Sequence, residues 1–200
     1  LKAAIVSSLH RENLAGFYAA ISKRPVIAKS FRPTILEMAS RMNNVQFLTR
    51  LVSELLKQLE SAPASVASMR SLTSTLTVMD RQSNELPQQT VARIDKALAR
   101  ALITANDDKM ALSIRLAAIE LSGRKAKHAE TLLELLSSNE PIEIQTATTR
   151  VLTPTNPQKI LKRFTGMSPG VRAAAVESFL SRESTAHDLL SAISTKEIPL

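Results

Sequence analysis

The sequence has no cysteine and no tryptophan, one tyrosine, five phenylalanines and four glycines among 200 residues. Without cysteine there are no disulfides, thiolate zinc sites, cysteine nucleophile or covalent haem attachment within the segment. The compartment stays open, because an oxidising environment permits disulfides without requiring them. So little glycine and aromatic content counts against a β-sandwich or barrel, which needs turn glycines and strands rich in aromatic and β-branched residues. No apolar run approaches the roughly 18 residues that a membrane-spanning helix needs, and no signal-peptide pattern is visible. The chain opens with "LKAAIVSSL", which has the pattern of mid-helix sequence. We therefore read residues 1–200 as one α-helical repeat domain, an internal piece of a larger protein.

Catalytic motifs are also missing. There is no Gly-x-Ser-x-Gly, no glycine loop to cradle phosphate and no His-Glu-x-x-His. The histidines, His10, His128 and His187, share no helix face with ligating partners, so they are expected to be exposed or capping and no metal site is expected. Asp107 and Asp108 look like paired carboxylates. Acidic residues in a first helical turn are explained by the helix dipole, and capping is the expected role.

What is present is helical periodicity. Apolar residues recur at i, i+3, i+4 and i+7, as in Val45, Leu48, Leu51, Val52, Leu55, Leu56 and Leu59. Val91, Ile94, Leu98, Leu102 and Ile103 form a second stripe, and Leu132, Leu133, Leu135 and Leu136 a third. Between the stripes stand "SAPAS", "NELPQ", "TANDD", "SGRK", "SSNEP", "TPTNP" and "GMSP", all carrying helix punctuation. Asn106 and Asn139 are expected caps, and Ser168 an N-cap before Pro169 at the first helical position. The expected fold is all-α, with ten to twelve helices of roughly 8–18 residues and short loops. Residues 22–33, "SKRPVIAKSFRP", are the least regular, and a short helix or an ordered loop both fit them.

One helix is written repeatedly. Ile114-Arg115-Leu116-Ala117-Ala118-Ile119 aligns with Ile144-Gln145-Thr146-Ala147-Thr148-Thr149 and with Val171-Arg172-Ala173-Ala174-Ala175-Val176. The opening residues fit too, with Lys2 at the Arg172 position and Val6 at the Val176 position. A second helix separates the copies. One such hairpin cannot bury its apolar face alone, so neighbours stack and share a core. The pattern predicts a right-handed α-solenoid, a HEAT-like or ARM-type superhelix of stacked helical hairpins. Ala118, Ala147 and Ala174 would allow close helix approach. Arg115, Gln145 and Arg172 would sit at the solvated edge and bridge to the next unit.

The C-terminal stretches "EPIEIQTATTRVL", "ILKRFTGMSPGVRAAAVESFLSR" and "LLSAISTKEIPL" resemble the helical region of the planctomycete-type (PVC-type) haem-binding membrane-bound dehydrogenase family. The opening "LKAAIVSSLHRENLAGFYAAI" also fits the start of that region. The resemblance implies a larger exported, extracytoplasmic redox protein. In it, a propeller of sugar-dehydrogenase type would precede this helical region and a cytochrome c domain with Cys-x-x-Cys-His would follow. Haem c would then belong to the parent protein, with no cofactor in this cysteine-free segment. The implied role is a non-catalytic scaffold or interaction module whose partners are the flanking domains or another protein.

Charge suggests an alternative. Residues 1–100 hold 14 Lys and Arg against 7 Asp and Glu, and residues 101–200 hold 12 against 11. Lys23, Arg24, Lys29 and Arg32, with Arg41 and Arg50, would offer one basic surface to nucleic acid or another polyanion. Against nucleic acid stands the shortage of aromatics for base stacking. Phe17, Tyr18 and Phe31, the nearby ones, are expected in the core. An enzyme on helical repeats, such as a base-excision glycosylase, would need an aromatic-lined pocket with a carboxylate, and the sequence offers little for one.

Overall fold

The computed structural model describes Ile5, residues 7–80 and residues 86–198, without the side chains of Pro25 and Lys29. Lys2 and Val6, the fourth repeat copy, lie outside the described residues, as do Asn84 and Glu85 of the "NELPQ" break. The described residues form eleven α-helices and three short 3₁₀ turns, and no strand.

The first helices are α1 (Leu14–Ser22), α2 (Pro25–Arg41), α3 (Val45–Ser61) and α4 (Val66–Asp80). Residues 22–33 are thus mostly helical. Pro25 starts α2 where a missing N–H costs nothing, and the helix runs on through Pro33. Ile35, Leu36 and Ala39 bury the following turn, which offsets the bond that Pro33 cannot make. Asn44 caps α3 by accepting from the Phe47 N–H at 3.2 Å. The α3 stripe is buried from Leu48 to Leu59, with Phe47 added to it and Val45 half-buried.

Next come α5 (Gln88–Asn106), α6 (Leu112–Ser122) and α7 (Ala129–Leu133), then α8 (Ile142–Leu152), α9 (Pro157–Leu161), α10 (Pro169–Leu180) and α11 (Glu183–Ser194). The second expected stripe is only partly internal: Ile94 and Leu98 are buried, whereas Val91 and Ile103 face solvent. Helices α7 and α9 have five residues each, shorter than expected. The 3₁₀ turns Ala126–His128 and Glu134–Leu136 flank α7, and Phe164–Gly166 follows α9. Ser168 does precede α10 with Pro169 in its first turn, though its side chain makes no capping bond.

Asn106 and Asn139 do not play the expected part. Asn106 ends α5 and its amide donates to the Leu102 carbonyl. Asn139 lies in the exposed turn before Pro141, the residue that precedes α8. Asp107 follows α5 and closes a tight turn by accepting from the Lys109 N–H at 3.0 Å. Asp107 and Asp108 are therefore in the connection ahead of α6, not in a first turn.

The helices pack in alternation. In chain order, α2 packs on α4, α4 on α6, α6 on α8 and α8 on α10. Among the others, α3 packs on α5, α5 on α7 and α9 on α11. Sequence neighbours also meet, as α1 with α2, α3 with α4, α5 with α6 and α10 with α11. The even-numbered helices include all three clear repeat copies. Ala117, Ala118 and Ala175 are fully buried and Ala174 nearly so, with Ala147 half-buried. Small side chains here let α6, α8 and α10 lie close, as the sequence pattern requires.

Candidate interaction groove

Two of the three repeat-signature polar residues, Arg115 and Gln145, depart from expectation. Arg115 is buried inside the stack instead of standing at its solvated edge. Its Nε donates to the Ala105 carbonyl at 2.9 Å, near the end of α5. Its Nη2 donates to Glu140 Oε2 at 2.7 Å, just ahead of α8. Gln145 is buried too, and its amide donates to the Glu140 carbonyl at 2.8 Å. Arg172 is half-buried. A buried guanidinium must find acceptors, and here the carbonyl at a helix end and a carboxylate from the next unit provide them. The expected bridging does occur at Arg115, but in the interior. The three-residue register alone gave no signal for that depth.

Further cation–carboxylate pairs join parts of the chain that are distant in sequence. Arg93 in α5 holds Glu60 in α3 through both carboxylate oxygens, at 3.1 and 3.2 Å. Lys125 pairs with Asp95, and Lys159 in α9 with Glu130 in α7. The hydrogen bonds from Arg93, Lys125 and Lys159 hold the carboxyls of Glu60, Asp95 and Glu130 below their ordinary range. On the other row, Arg70 in α4 meets Glu120 in α6 at 3.4 Å, and Arg150 in α8 meets Glu177 in α10 at 3.3 Å. Arg124 reaches back to Asp80 and to the Thr77 hydroxyl of α4. Much of the basic charge is therefore occupied in structural pairing.

The N-terminal cations behave differently. Three adjoining cavities follow the cleft between the hairpin of α1 and α2 and the hairpin of α3 and α4. The first, of about 370 Å³, lies between α1 and α3 and carries Lys23, Arg50 and Glu54 on its walls. The second, of about 610 Å³, shares Tyr18, Ser22 and Glu54 with the first and adds Arg32, Arg70, Ser71 and Gln58. The third, of about 450 Å³, shares Arg32 and Ser74 with the second and runs along α2 and α4 to Glu37 and Arg41. Of the six basic residues singled out in the sequence, Lys23, Arg32, Arg41 and Arg50 thus line one cleft. Arg24 is exposed but lines none of these walls, and the Lys29 side chain lies outside the described residues. Arg70 belongs to the group as well. It stands far along the chain, and only the packing of α4 on α2 reveals it.

Arg32 occupies the middle of the cleft. Its Nη1 donates to the Ser71 hydroxyl, while its Nε is buried without an acceptor among the described residues. Arg41 is held by Glu37 at 2.6 Å, one helical turn back. By contrast, the recess beside the Glu60–Arg93 pair has only about 20 Å³, room for a single water.

Of the three aromatics expected in the core, Tyr18 is buried, and Phe17 and Phe31 are half-buried and packed against the core. Phe17 meets Phe31 edge-on at 5.7 Å between ring centres, and Tyr18 meets Phe47 at 5.6 Å. His128 overturns its expectation: it is buried, with Nδ1 3.0 Å from the Ser122 carbonyl. His10 and His187 are exposed as expected. Among the described residues no three His, Asp or Glu side chains cluster as metal ligands, and no helix is long and apolar enough to cross a membrane.

No family model, no curated protein and no solved structure matches the chain.

Proposed function

We propose that this chain is a non-catalytic α-solenoid of HEAT-like hairpins that spaces and orients flanking domains of a larger protein. The observation that carries the reading is the alternating packing, α2–α4–α6–α8–α10 on one side and α3–α5–α7 with α9–α11 on the other. Each unit touches its neighbours, as stacked hairpins do. The pairs Arg93–Glu60, Lys159–Glu130 and Arg150–Glu177 tie successive units and favour a rigid spacer over a flexible linker. By the family resemblance, the flanking domains are an oxidising propeller and a cytochrome c domain in an extracytoplasmic redox protein. Haem c attaches outside this segment, which holds no cysteine to bind it.

The spacer role is tested by the distance between its ends. The chain has no native thiol, so Glu12→Cys and Ser184→Cys, both at exposed positions, give unique spin-label sites. Pulsed electron resonance should return one narrow distance distribution. A broad distribution would mean a flexible connector and would overturn the reading.

A further inference from the structure

We infer that the cleft between the first and second hairpins binds an extended acidic peptide segment of a partner protein. The inference deepens the interaction-module reading and rests on it. The three cavities share walls, so a chain entering beside Lys23 and Arg50 passes Arg32 and Arg70 and leaves beside Arg41. Five cations line the cleft with two carboxylates, Glu54 and Glu37; Arg41 is bonded to Glu37 and Arg70 to Glu120. Lys23, Arg32 and Arg50 are the cations of the cleft with no ion pair among the described residues. That separates them from Arg93, Lys125 and Lys159, whose charge the fold itself uses.

The chemistry of the walls selects the occupant. In an extended strand, side chains on one face recur every ~7 Å, so successive acidic residues can meet successive cations. The Ser22 and Ser74 hydroxyls donate to the Tyr18 and Arg70 carbonyls of their own helices and so offer acceptor lone pairs to the N–H groups of such a strand, while the Gln58 amide, whose oxygen accepts from Ser68, offers its N–H donors. Val66, Ala67 and Ala28 leave apolar strips between them. Arg32 anchors the middle: a guanidinium oriented by Ser71 is pre-set for charge-assisted bonding to a carboxylate. A nucleic acid strand would need exposed rings for its bases; Tyr18 reaches the cleft wall but is 8% exposed and packed edge-on against Phe47, and the half-buried Phe17 and Phe31 pack on each other and lie outside the cavity walls.

The test is fluorescence anisotropy with a labelled peptide of alternating glutamate and serine, about 12 residues long. An equally long lysine–serine peptide and an oligothymidylate serve as comparisons. The glutamate peptide should bind at low salt and weaken as salt rises. Arg32→Gln should weaken it about tenfold and Arg50→Gln about threefold, with Arg182→Gln, outside the cleft, unchanged. Should Arg32→Gln lose its helical circular dichroism, the surface variant Arg50→Gln decides alone. Absence of glutamate-peptide binding, or tighter binding of the oligothymidylate, overturns the inference. Loss of peptide binding with a narrow end-to-end distance would leave the spacer reading standing. A broad distance with peptide binding intact would sink the spacer reading alone.

Discussion

Arg115 and Glu140 form an ion pair at 2.7 Å between side chains that are 5% and 20% exposed. The guanidinium also satisfies the Ala105 carbonyl, so one residue joins the end of α5, the body of α6 and the approach to α8. Taking one partner away leaves an uncompensated charge in a poorly solvated place. Arg115→Ala is expected to lower stability by about 3 kcal/mol, and Glu140→Gln by about 1 kcal/mol. Urea unfolding at neutral pH reads both. Equal and small losses would show that the pair is solvated after all.

Gly123 sits at the end of α6, where a Cβ would lie 1.9 Å from Val151 Cγ1 and 3.2 Å from the Ile119 carbonyl. The valine methyl belongs to a branched, half-buried side chain packed against the core, whose stiff χ1 limits how far it can yield. Gly123→Ala should cost about 1–3 kcal/mol. Gly166→Ala, with nothing within 4 Å, serves as the near-neutral comparison. Thermal melts of the two variants check the contrast, and similar melting temperatures would contradict the close approach of α6 and α8.

Glu60, Asp95 and Glu130 carry carboxyls held below their ordinary values of 4.5, 3.8 and 4.5 by Arg93, Lys125 and Lys159. The unfolded chain therefore takes up protons first as the solution is acidified. The contribution of these pairs is full above the ordinary values and is lost as pH falls through the lower folded ones. Stability should decline on acidification below about pH 4.5, and Arg93→Gln with Lys159→Gln should flatten that decline. Denaturant midpoints measured from pH 3 to pH 7 test this. The same acid slope with and without the two cations would refute it. Added salt should shrink the difference, because all three carboxylates lie at the surface.

Pro33 interrupts α2 at an exposed position and leaves a carbonyl one turn earlier without its helical donor. Pro33→Ala restores the donor and should raise stability by about 1 kcal/mol. A fall in the midpoint would show that the proline ring is needed by the cleft wall on which it lies.

The helical class and most of the breaks between helices were legible in the residues. Periodicity and punctuation act within one or two turns of chain, so Leu48 to Leu59 and Ser168-Pro169 could be placed directly. The small residues of "RLAAI" and "VRAAAV" also announced close helix packing. Residues 22–33 left a short helix and an ordered loop both open, because prolines at 25 and 33 bracket them, and the helix that forms is longer than either reading. The burial of Ile35, Leu36 and Ala39 on the same helix outweighs the bond that Pro33 cannot make, and that burial depends on neighbours far along the chain.

Depth and partnership were decided by packing in three dimensions. A polar residue at a repeat position can face water or the interior with the same sequence spacing. Arg115 goes inside because a helix-end carbonyl and Glu140 converge on it from two other elements. His128 goes inside because the Ser122 carbonyl meets its ring. The basic half likewise divides only on folding. Arg93 and Lys125 find carboxylates far along the chain, Glu60 and Asp95, and become braces. Lys23, Arg32 and Arg50 instead come to share one cleft with Arg70, which no local pattern could have joined to them. Short-range backbone preference makes the helices, and long-range burial and charge pairing decide which cations become braces and which are left without an ion pair.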